Sequence, residues 1–150
     1  MMNKMILIVE DDMDMIYIHR KIVQNLGFDS IVAINGQEAV EKAFKHRPDL
    51  ILMDIMMPKM DGLQATSLIR ENPKTRSTPI LALTAMNSRK YMEKCIENGC
   101  DDYLSKPFPL DQLRYSILKL LVKDSRTYDS LMDGSSPYLE SSMTYHNLPG

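Results

Sequence analysis

The sequence has few of the features that mark disulfide-linked or membrane-spanning proteins. It holds only two cysteines, Cys95 and Cys100, which match neither a disulfide framework nor a zinc ribbon, so we expect small, reduced, buried residues. No apolar stretch approaches the ~20 residues of a transmembrane helix. The short apolar run near the amino terminus stops at three acids, unlike a signal peptide. We therefore expect a cytoplasmic protein with no membrane partner.

The chain also lacks an excess of charge of one sign. Its formal net charge is −2, and lysine and arginine are scattered rather than gathered in a basic segment, so we expect no nucleic-acid partner. Hydrophobic residues make up 44% of the chain, which is enough for one packed core. We predict one domain over residues 1–122. Residues 123–150 are rich in serine without clear periodicity and are predicted to form a flexible tail.

Short apolar runs alternate with segments of helical periodicity, a pattern typical of a parallel sheet covered by helices. It predicts an α/β fold with five strands and five helices. The predicted strands span residues 5–9, 30–34, 49–53 and 80–84, with a short fifth strand ending at Lys106. The inward helix positions are predicted at Met15, Ile18, Ile22 and Leu26, at Ala39, Val40, Ala43 and Phe44, at Met92, Cys95 and Ile96, and at Leu110, Leu113, Ile117 and Leu121.

Four of the apolar runs end in a reactive polar group. The pair Glu10-Asp11 follows the first strand, Asp54 the third, Thr84 the fourth and Lys106 the fifth. Because the carboxyl ends of parallel strands meet in one crevice, these groups predict a site. Two carboxylates ~4 Å apart repel by roughly 4 kcal/mol at an effective dielectric of 20, so three of them require protons or a divalent cation. Oxygen ligands with room for water suit Mg²⁺.

A carboxylate beside Mg²⁺ can act as a nucleophile toward phosphorus and form an aspartyl phosphate. Asp54 is the best candidate because it stands alone at its strand end, whereas Glu10 and Asp11 form a pair suited to metal. The Lys106 ammonium can neutralise the phosphoryl charge, and the Thr84 hydroxyl can donate a hydrogen bond to it. Asp12 has no place in this scheme and is predicted to cap the first helix.

Four segments together resemble the receiver domains of two-component response regulators. They are ILIVEDD at 6–12, MDIMMPKMDG at 53–62, LTA at 83–85 and DDYLSKPF at 101–108. Their order and spacing fit the family over residues 4–122. The resemblance implies a doubly wound, flavodoxin-like fold with five parallel strands in the order 2-1-3-4-5.

The resemblance also implies a role for each strand-end residue. Asp54 would accept a phosphoryl group from the phosphohistidine of a sensor histidine kinase, and Thr84 and Lys106 would bind that group. Mg²⁺ would be held by Glu10, Asp11 and Asp54, helped by the backbone carbonyl of Met56. Such a protein is a signalling switch rather than an enzyme, since it promotes only its own phosphorylation and dephosphorylation.

A switch in the family couples the site to a surface. Tyr103 matches the aromatic residue that moves with Thr84 on phosphorylation, altering the face of helix four, strand five and helix five. A downstream effector or a second copy of the chain would bind there. The Lys106-Pro107 bond resembles the family's cis peptide. No output domain follows residue 122, so we expect a stand-alone switch, although a receiver taken from a larger hybrid kinase remains an alternative.

Two methionines occupy positions that tune phosphoryl lifetime in the family. Met56 lies two residues after Asp54, and Met86 lies two residues after Thr84. Neither side chain offers a polar group that could orient an attacking water, so we hypothesise slow self-dephosphorylation.

Three alternatives stay open. A haloacid-dehalogenase-type phosphatase also forms an aspartyl phosphate, but it carries a second aspartate where this chain has Met56. A pseudo-receiver would bind partners without phosphorylation, against which the complete set of site residues argues. In the tail, part of the chain could dock on the domain or on a partner through Tyr128, Leu131, Met132, Tyr138 and Tyr145.

Overall fold

A computed structural model describes residues 3–57, 59–86 and 88–122. The predicted tail, residues 123–150, lies outside the described residues, and so does Pro58. None of the helices described has the length and apolar character needed to cross a lipid bilayer.

The strands form one parallel sheet, which confirms the predicted α/β fold. They are β1 (Met5–Val9), β2 (Asp29–Ala33), β3 (Leu50–Asp54), β4 (Ile80–Thr84) and β5 (Asp102–Ser105). Their order is β2-β1-β3-β4-β5, as the resemblance implies. β2 begins one residue before the prediction and β3 one residue after it. The second shift makes Asp54 the last residue of its strand, in register with Leu83 of β4.

Five helices connect and cover the strands. They are α1 (Met13–Asn25), α2 (Gly36–His46), α3 (Gly62–Glu71), α4 (Arg89–Glu97) and α5 (Leu110–Leu121). The predicted cap of α1 is confirmed, and α3 begins with a cap of the same kind. A carboxylate oxygen of Asp12 accepts from the backbone N–H of Asp14 at 2.9 Å, and Asp61 accepts from that of Gln64 at 2.9 Å. Each carboxylate satisfies an amide that the helix itself leaves without a partner.

The core has two layers, one on each face of the sheet. Alternate residues of a strand point to opposite faces, so Ile6 and Ile8 join the layer under α1 and α5. Leu7 and Val9 join the layer under α2, α3 and α4. Both layers are dry, because β1, β3 and β4 are almost completely buried along their lengths. A sheet covered on both faces leaves its strand ends as the place for a polar site.

Several predicted helix faces are wrong in detail. Phe44 is 37% exposed and Ile96 is 48% exposed, whereas both are predicted to face inward. α2 packs through the small residues Ala39 and Ala43, and α4 buries Cys95 alone among its nine residues. Because each helix contacts the sheet along such a narrow strip, its larger apolar side chains lie beside the contact and stay partly exposed.

The structure also departs from the predicted inward positions of α1 and α5. α1 buries Ile16, His19 and Val23 together with Ile22, while Met15 and Ile18 are only partly buried. Leu110, the first residue of α5, is 37% exposed. The prediction for the cysteines is confirmed, since both are free and buried.

Arg70 ties together the end of the sheet opposite the strand ends that carry the acids. Its Nε donates to the carbonyl of Gly99 at 2.8 Å, and its Nη1 donates to the carbonyl of Thr78 at 2.7 Å. Its Nη2 donates to Oδ2 of Asp101 at 2.8 Å, and the same oxygen accepts from the backbone N–H of Ile80 at 2.8 Å. One planar guanidinium therefore joins α3, the start of β4 and the loop before β5.

His19 is a buried polar residue on the inner face of α1. It is 1% exposed, and neither ring nitrogen has a hydrogen-bond partner among the residues that the structure describes. Burial is the main cause that lowers its pKa below the ordinary 6.5; Lys106 lowers it further, while Glu10 opposes the shift. The folded protein therefore holds this imidazole neutral.

We predict that Arg70→Met lowers the free energy of unfolding by about 2–3 kcal/mol, because it keeps the aliphatic stem but leaves buried carbonyls without their donor. Urea unfolding measures the change. Arg89→Met is the matched control, since the Arg89 side chain is 95% exposed and forms only a surface ion pair with Glu93. Equal stability of the two variants would contradict the role of Arg70.

The state of His19 predicts a dependence of stability on pH. As pH falls below 6.5, His19 of the unfolded chain takes up a proton, whereas His19 of the folded chain stays neutral. Wild type should therefore lose stability relative to His19→Leu by up to about 1.4 kcal/mol per pH unit in that range, with no difference in slope above it. Urea unfolding of both proteins at a series of pH values tests this. Parallel pH profiles would show that His19 is protonated in the fold.

Candidate functional site

The acids at the ends of β1 and β3 converge on one point. One carboxylate oxygen from each of Glu10, Asp11 and Asp54 lies within 4.8 Å of the other two. Glu10 is 2% exposed and Asp54 is 5% exposed, while Asp11 is exposed to solvent. β1 and β3 are neighbours in register, with Val9 opposite Met53, which places the residues that follow side by side. The crowding predicted from strand order is therefore present.

Lys106 brings a single cation to this cluster. Its Nζ lies 3.4 Å from Oε1 of Glu10 and 3.7 Å from Oδ1 of Asp54. The backbone holds it there, because the N–H of Lys106 donates to the carbonyl of Thr84 at 2.7 Å. The following bond to Pro107 is cis, as the resemblance implies. One ammonium thus faces three carboxyl groups.

The imbalance of charge shows in the pKa of Glu10, which is raised from 4.5 to about 7. Burial is the main cause, and the nearby carboxyl of Asp54 adds to it through a hydrogen bond and through repulsion. Lys106 acts in the opposite direction without cancelling the effect. Near neutral pH the Glu10 carboxyl is therefore only partly ionised in the absence of another cation.

The loop after Asp54 is held close to the carboxylate. The backbone N–H of Met56 donates to Oδ1 of Asp54 at 3.2 Å, and that of Gly62 donates to the carbonyl of Ile55 at 3.0 Å. A Cβ on Gly62 would lie 2.7 Å from the backbone oxygen of Asp54, so only glycine fits this approach. The start of α3 therefore fixes the backbone at the end of β3.

Thr84 ends β4 on the other side of Asp54 and is fully buried. Its Oγ1 accepts from the backbone N–H of Met86 at 3.0 Å. A hydroxyl that accepts one hydrogen bond keeps its own proton for donation. Thr84 is in register with Ser105 of β5, one residue before Lys106, so the hydroxyl and the ammonium stand on adjacent strands.

Tyr103 lies on β5 at the edge of the sheet, in register with Ala82. Its ring is partly buried and packs against the core layer under α2, α3 and α4. The structure brings Tyr103 to the strands that flank the site but does not place it within the cluster of acids.

Sequence reasoning missed a contact at the rim between the loop after β3 and the start of α4. The Tyr91 hydroxyl, in the first turn of α4, donates to Sδ of Met56 at 3.7 Å. Burial is the main cause that raises the pKa of Tyr91, so its hydroxyl stays protonated. The two residues are 35 positions apart, and neither carries a pattern that pairs it with the other.

This arrangement fits a hard divalent cation. Carboxylate oxygens at this spacing are the ligands that Mg²⁺ prefers, and two of the three acids are buried while Asp11 is exposed to solvent. Two positive charges would replace the proton that the raised pKa of Glu10 indicates. The donor set is therefore suited to Mg²⁺ and to the oxygen atoms of a phosphoryl group beside it.

Comparison with known proteins places this geometry in a family. Residues 6–118 match the family described as the response regulator receiver domain. The chain is 50% identical over 115 residues to hybrid signal transduction histidine kinase G of Dictyostelium discoideum, covering 75% of this chain but only 3% of that kinase. It is 35% identical over 120 residues to the polar-differentiation response regulator DivK of Brucella anthropi, covering 80% of this chain and 98% of that protein.

A solved structure agrees in fold. The receiver domain of sensor histidine kinase PA1611 from Pseudomonas aeruginosa has a TM-score of 0.74 and 34% sequence identity, over 79% of this chain and 98% of that one. That receiver domain has a magnesium ion coordinated in its active site cleft.

The family match spans most of the chain, and the sheet order and the cluster of acids agree with it. Receiver domains of this family interact with histidine kinases and downstream effectors in phosphorelay signalling. The chain belongs to the receiver domains of two-component response regulators.

Proposed function

We propose that Asp54 of this chain accepts a phosphoryl group from the phosphohistidine of a sensor histidine kinase. In the reaction a carboxylate oxygen of Asp54 attacks phosphorus, the P–N bond breaks, and the imidazole leaves with the electron pair. The observation that carries the proposal is the convergence of Glu10, Asp11 and Asp54 within 4.8 Å, with Lys106 against two of them.

Asp54 is preferred to its two neighbours because of its place between strands. It ends the central strand β3, with the acids of β1 on one side and Thr84 of β4 on the other. Lys106 reaches it from β5 at 3.7 Å. A phosphoryl group on Asp54 would therefore have cationic and hydroxyl donors on one side and metal ligands on the other.

Lys106 and Thr84 would stabilise the charge of the phosphoryl group. The backbone N–H of Lys106 is bonded to the carbonyl of Thr84, and its ammonium lies against the Glu10 carboxylate, so little reorganisation is needed when the negative charge arrives. The Thr84 hydroxyl would turn its free proton toward a phosphoryl oxygen.

Glu10, Asp11 and Asp54, with the backbone carbonyl of Met56, would hold Mg²⁺. When bound, Mg²⁺ neutralises charge on the phosphoryl oxygens and on the crowded carboxylates. The magnesium ion in the cleft of the PA1611 receiver domain supports this assignment. The buried position of Glu10 keeps it away from competing water, and the exposed Asp11 leaves the site open to solvent.

Thr84 and Tyr103 are proposed to carry the phosphorylated state to the surface of α4, β5 and α5. Thr84 is buried at the site, while the Tyr103 ring lies partly buried on the edge strand. A ligand-dependent shift between two arrangements of that face would change its affinity for an effector or a second copy of the chain. We propose that residues 1–122 form the receiver domain and that it promotes only its own phosphorylation and dephosphorylation.

The role of Asp54 predicts a single site of phosphorylation. Incubation with acetyl phosphate and Mg²⁺ should add one phosphoryl group to wild type, and Asp54→Ala should add none, because the nucleophile is gone. Intact-protein mass spectrometry measures the gain. Asp12→Ala is the matched control, since Asp12 lies at the same edge but caps α1, and it should be phosphorylated like wild type. Phosphorylation of Asp54→Ala would overturn the assignment.

The exposed thioether of Met56 predicts a long phosphoryl lifetime. Met56→Asn should shorten it several-fold, because an amide beside Asp54 can orient an attacking water where the thioether cannot. The measurement is the decay of phosphorylated protein after removal of the donor. Met13→Asn is the control, since Met13 is 74% exposed at the start of α1 and has no role in the site. Unchanged or slower decay in Met56→Asn would contradict the hypothesis.

A further inference from the structure

Three exposed methionines surround the end of the sheet that carries the acids. Met13, Met56 and Met86 are 74%, 58% and 43% exposed, and each lies just after a strand or at the start of the next helix. An exposed thioether can be oxidised to a sulfoxide, which replaces a weak acceptor by a strongly polar S=O group. The consequence depends on what each sulfur contacts.

Met56 differs from the other two in being fixed at both ends beside Asp54. Its backbone N–H donates to Oδ1 of Asp54 at 3.2 Å, which holds the residue against the acceptor carboxylate. Its Sδ accepts from the Tyr91 hydroxyl at 3.7 Å. The Tyr91 ring is itself anchored, because it packs against the core layer under α2, α3 and α4.

We propose that Met56 is an oxidation-sensitive switch that shortens the lifetime of the phosphoryl group on Asp54 when its thioether becomes a sulfoxide. The inference rests on the proposed function, since it requires Asp54 to be the phosphorylated residue. The oxidant is a peroxide, with hydrogen peroxide as the simplest member of the class.

The oxidation step is a two-electron transfer. The Met56 sulfur attacks one oxygen of hydrogen peroxide, the O–O bond breaks, and the products are the sulfoxide and water. Sulfur is oxidised and peroxide is reduced, with no other reactant. The Tyr91 hydroxyl then donates to the sulfoxide oxygen, a better acceptor than the thioether it contacts in the structure.

The sulfoxide oxygen has a further lone pair that can accept a hydrogen bond from water. A water held in this way stands beside the phosphorylated Asp54, where it can attack phosphorus. The bond between phosphorus and the Asp54 oxygen then breaks with its electron pair, the carboxylate is restored, and inorganic phosphate leaves as H₂PO₄⁻ with both protons of the water. The sulfoxide acts by positioning the nucleophile rather than by removing its proton.

The cysteines do not compete for the oxidant. Cys95 and Cys100 are 0% and 4% exposed. Burial raises the pKa of both thiols, to about 12 for Cys100, so neither is present as the reactive thiolate at neutral pH. Met13, Met56 and Met86 are therefore the most exposed sulfur-containing residues in the described part of the chain.

The test compares phosphoryl decay before and after treatment with hydrogen peroxide. Peptide mass spectrometry first establishes that Met56 has gained one oxygen, and each protein is compared with its own untreated sample. Wild type and the controls Met13→Leu and Met86→Leu should lose phosphate several-fold faster after treatment. Met56→Leu should show no acceleration, and Tyr91→Phe should show less than wild type. Methionine sulfoxide reductase should restore the slow decay of treated wild type.

Three results would overturn the switch alone. The first is unchanged decay in phosphorylated wild type that is mapped as oxidised at Met56, and the second is full acceleration in Met56→Leu. Loss of the acceleration in Met86→Leu would move the switch to the other loop and would also contradict the proposal. Failure of untreated wild type to take up a phosphoryl group would instead contradict the proposed function on which the switch rests.

Discussion

The crowding of three carboxyl groups around one ammonium is the constraint on which the rest of the site depends. Two unit charges ~4 Å apart repel by roughly 4 kcal/mol at an effective dielectric of 20. Glu10, Asp11 and Asp54 lie at about this spacing, and among the residues that the structure describes Lys106 is the cation paired with Glu10 and Asp54. Three negative charges and one positive charge leave a net of −2 when all are ionised. A divalent cation has the charge that this site lacks. Without one, the raised pKa of Glu10 favours a proton on its carboxyl group.

The fold keeps these charges together by making their strands rigid. β1 and β3 are buried on both faces, so the acids at their ends cannot separate without disturbing a dry core. At the opposite end of the sheet the Arg70 guanidinium joins α3 to the segments around β4 and β5. The candidate site thus lies at one edge of the sheet, while the opposite edge is held by hydrogen bonds.

Much of the fold and of the site follows from local patterns in the sequence. Four of the five strands end at or just before a reactive polar residue, which falls in the crevice because parallel strands share a carboxyl edge. Glu10, Asp11, Asp54 and Lys106 meet as that rule predicts. The order of the strands came from the resemblance to receiver domains, and the structure confirms it.

Sequence reasoning missed two kinds of feature. One is a polar residue at a helix position that hydrophobic periodicity assigns to an apolar residue, and the other is a contact between segments far apart in the sequence. His19 occupies the inner face of α1, where a periodic pattern counts only apolar residues. The partners of Arg70 are up to 31 positions away, and Met56 meets Tyr91 across 35. Phe44 and Ile96 are apolar yet exposed, because the small residues beside them bring their helices to the sheet along a narrow strip.

The central claim is that the three carboxylates form one site for Mg²⁺ next to the phosphoryl acceptor. A titration with Mg²⁺, followed through the backbone amide signals of ¹⁵N-labelled protein, tests it most directly. The account predicts saturable shifts at Glu10, Asp11, Asp54 and Met56, small changes around Arg70, and loss of the response in Asp11→Ala. Shifts that fail to saturate, or an equal response in Asp11→Ala, would contradict it.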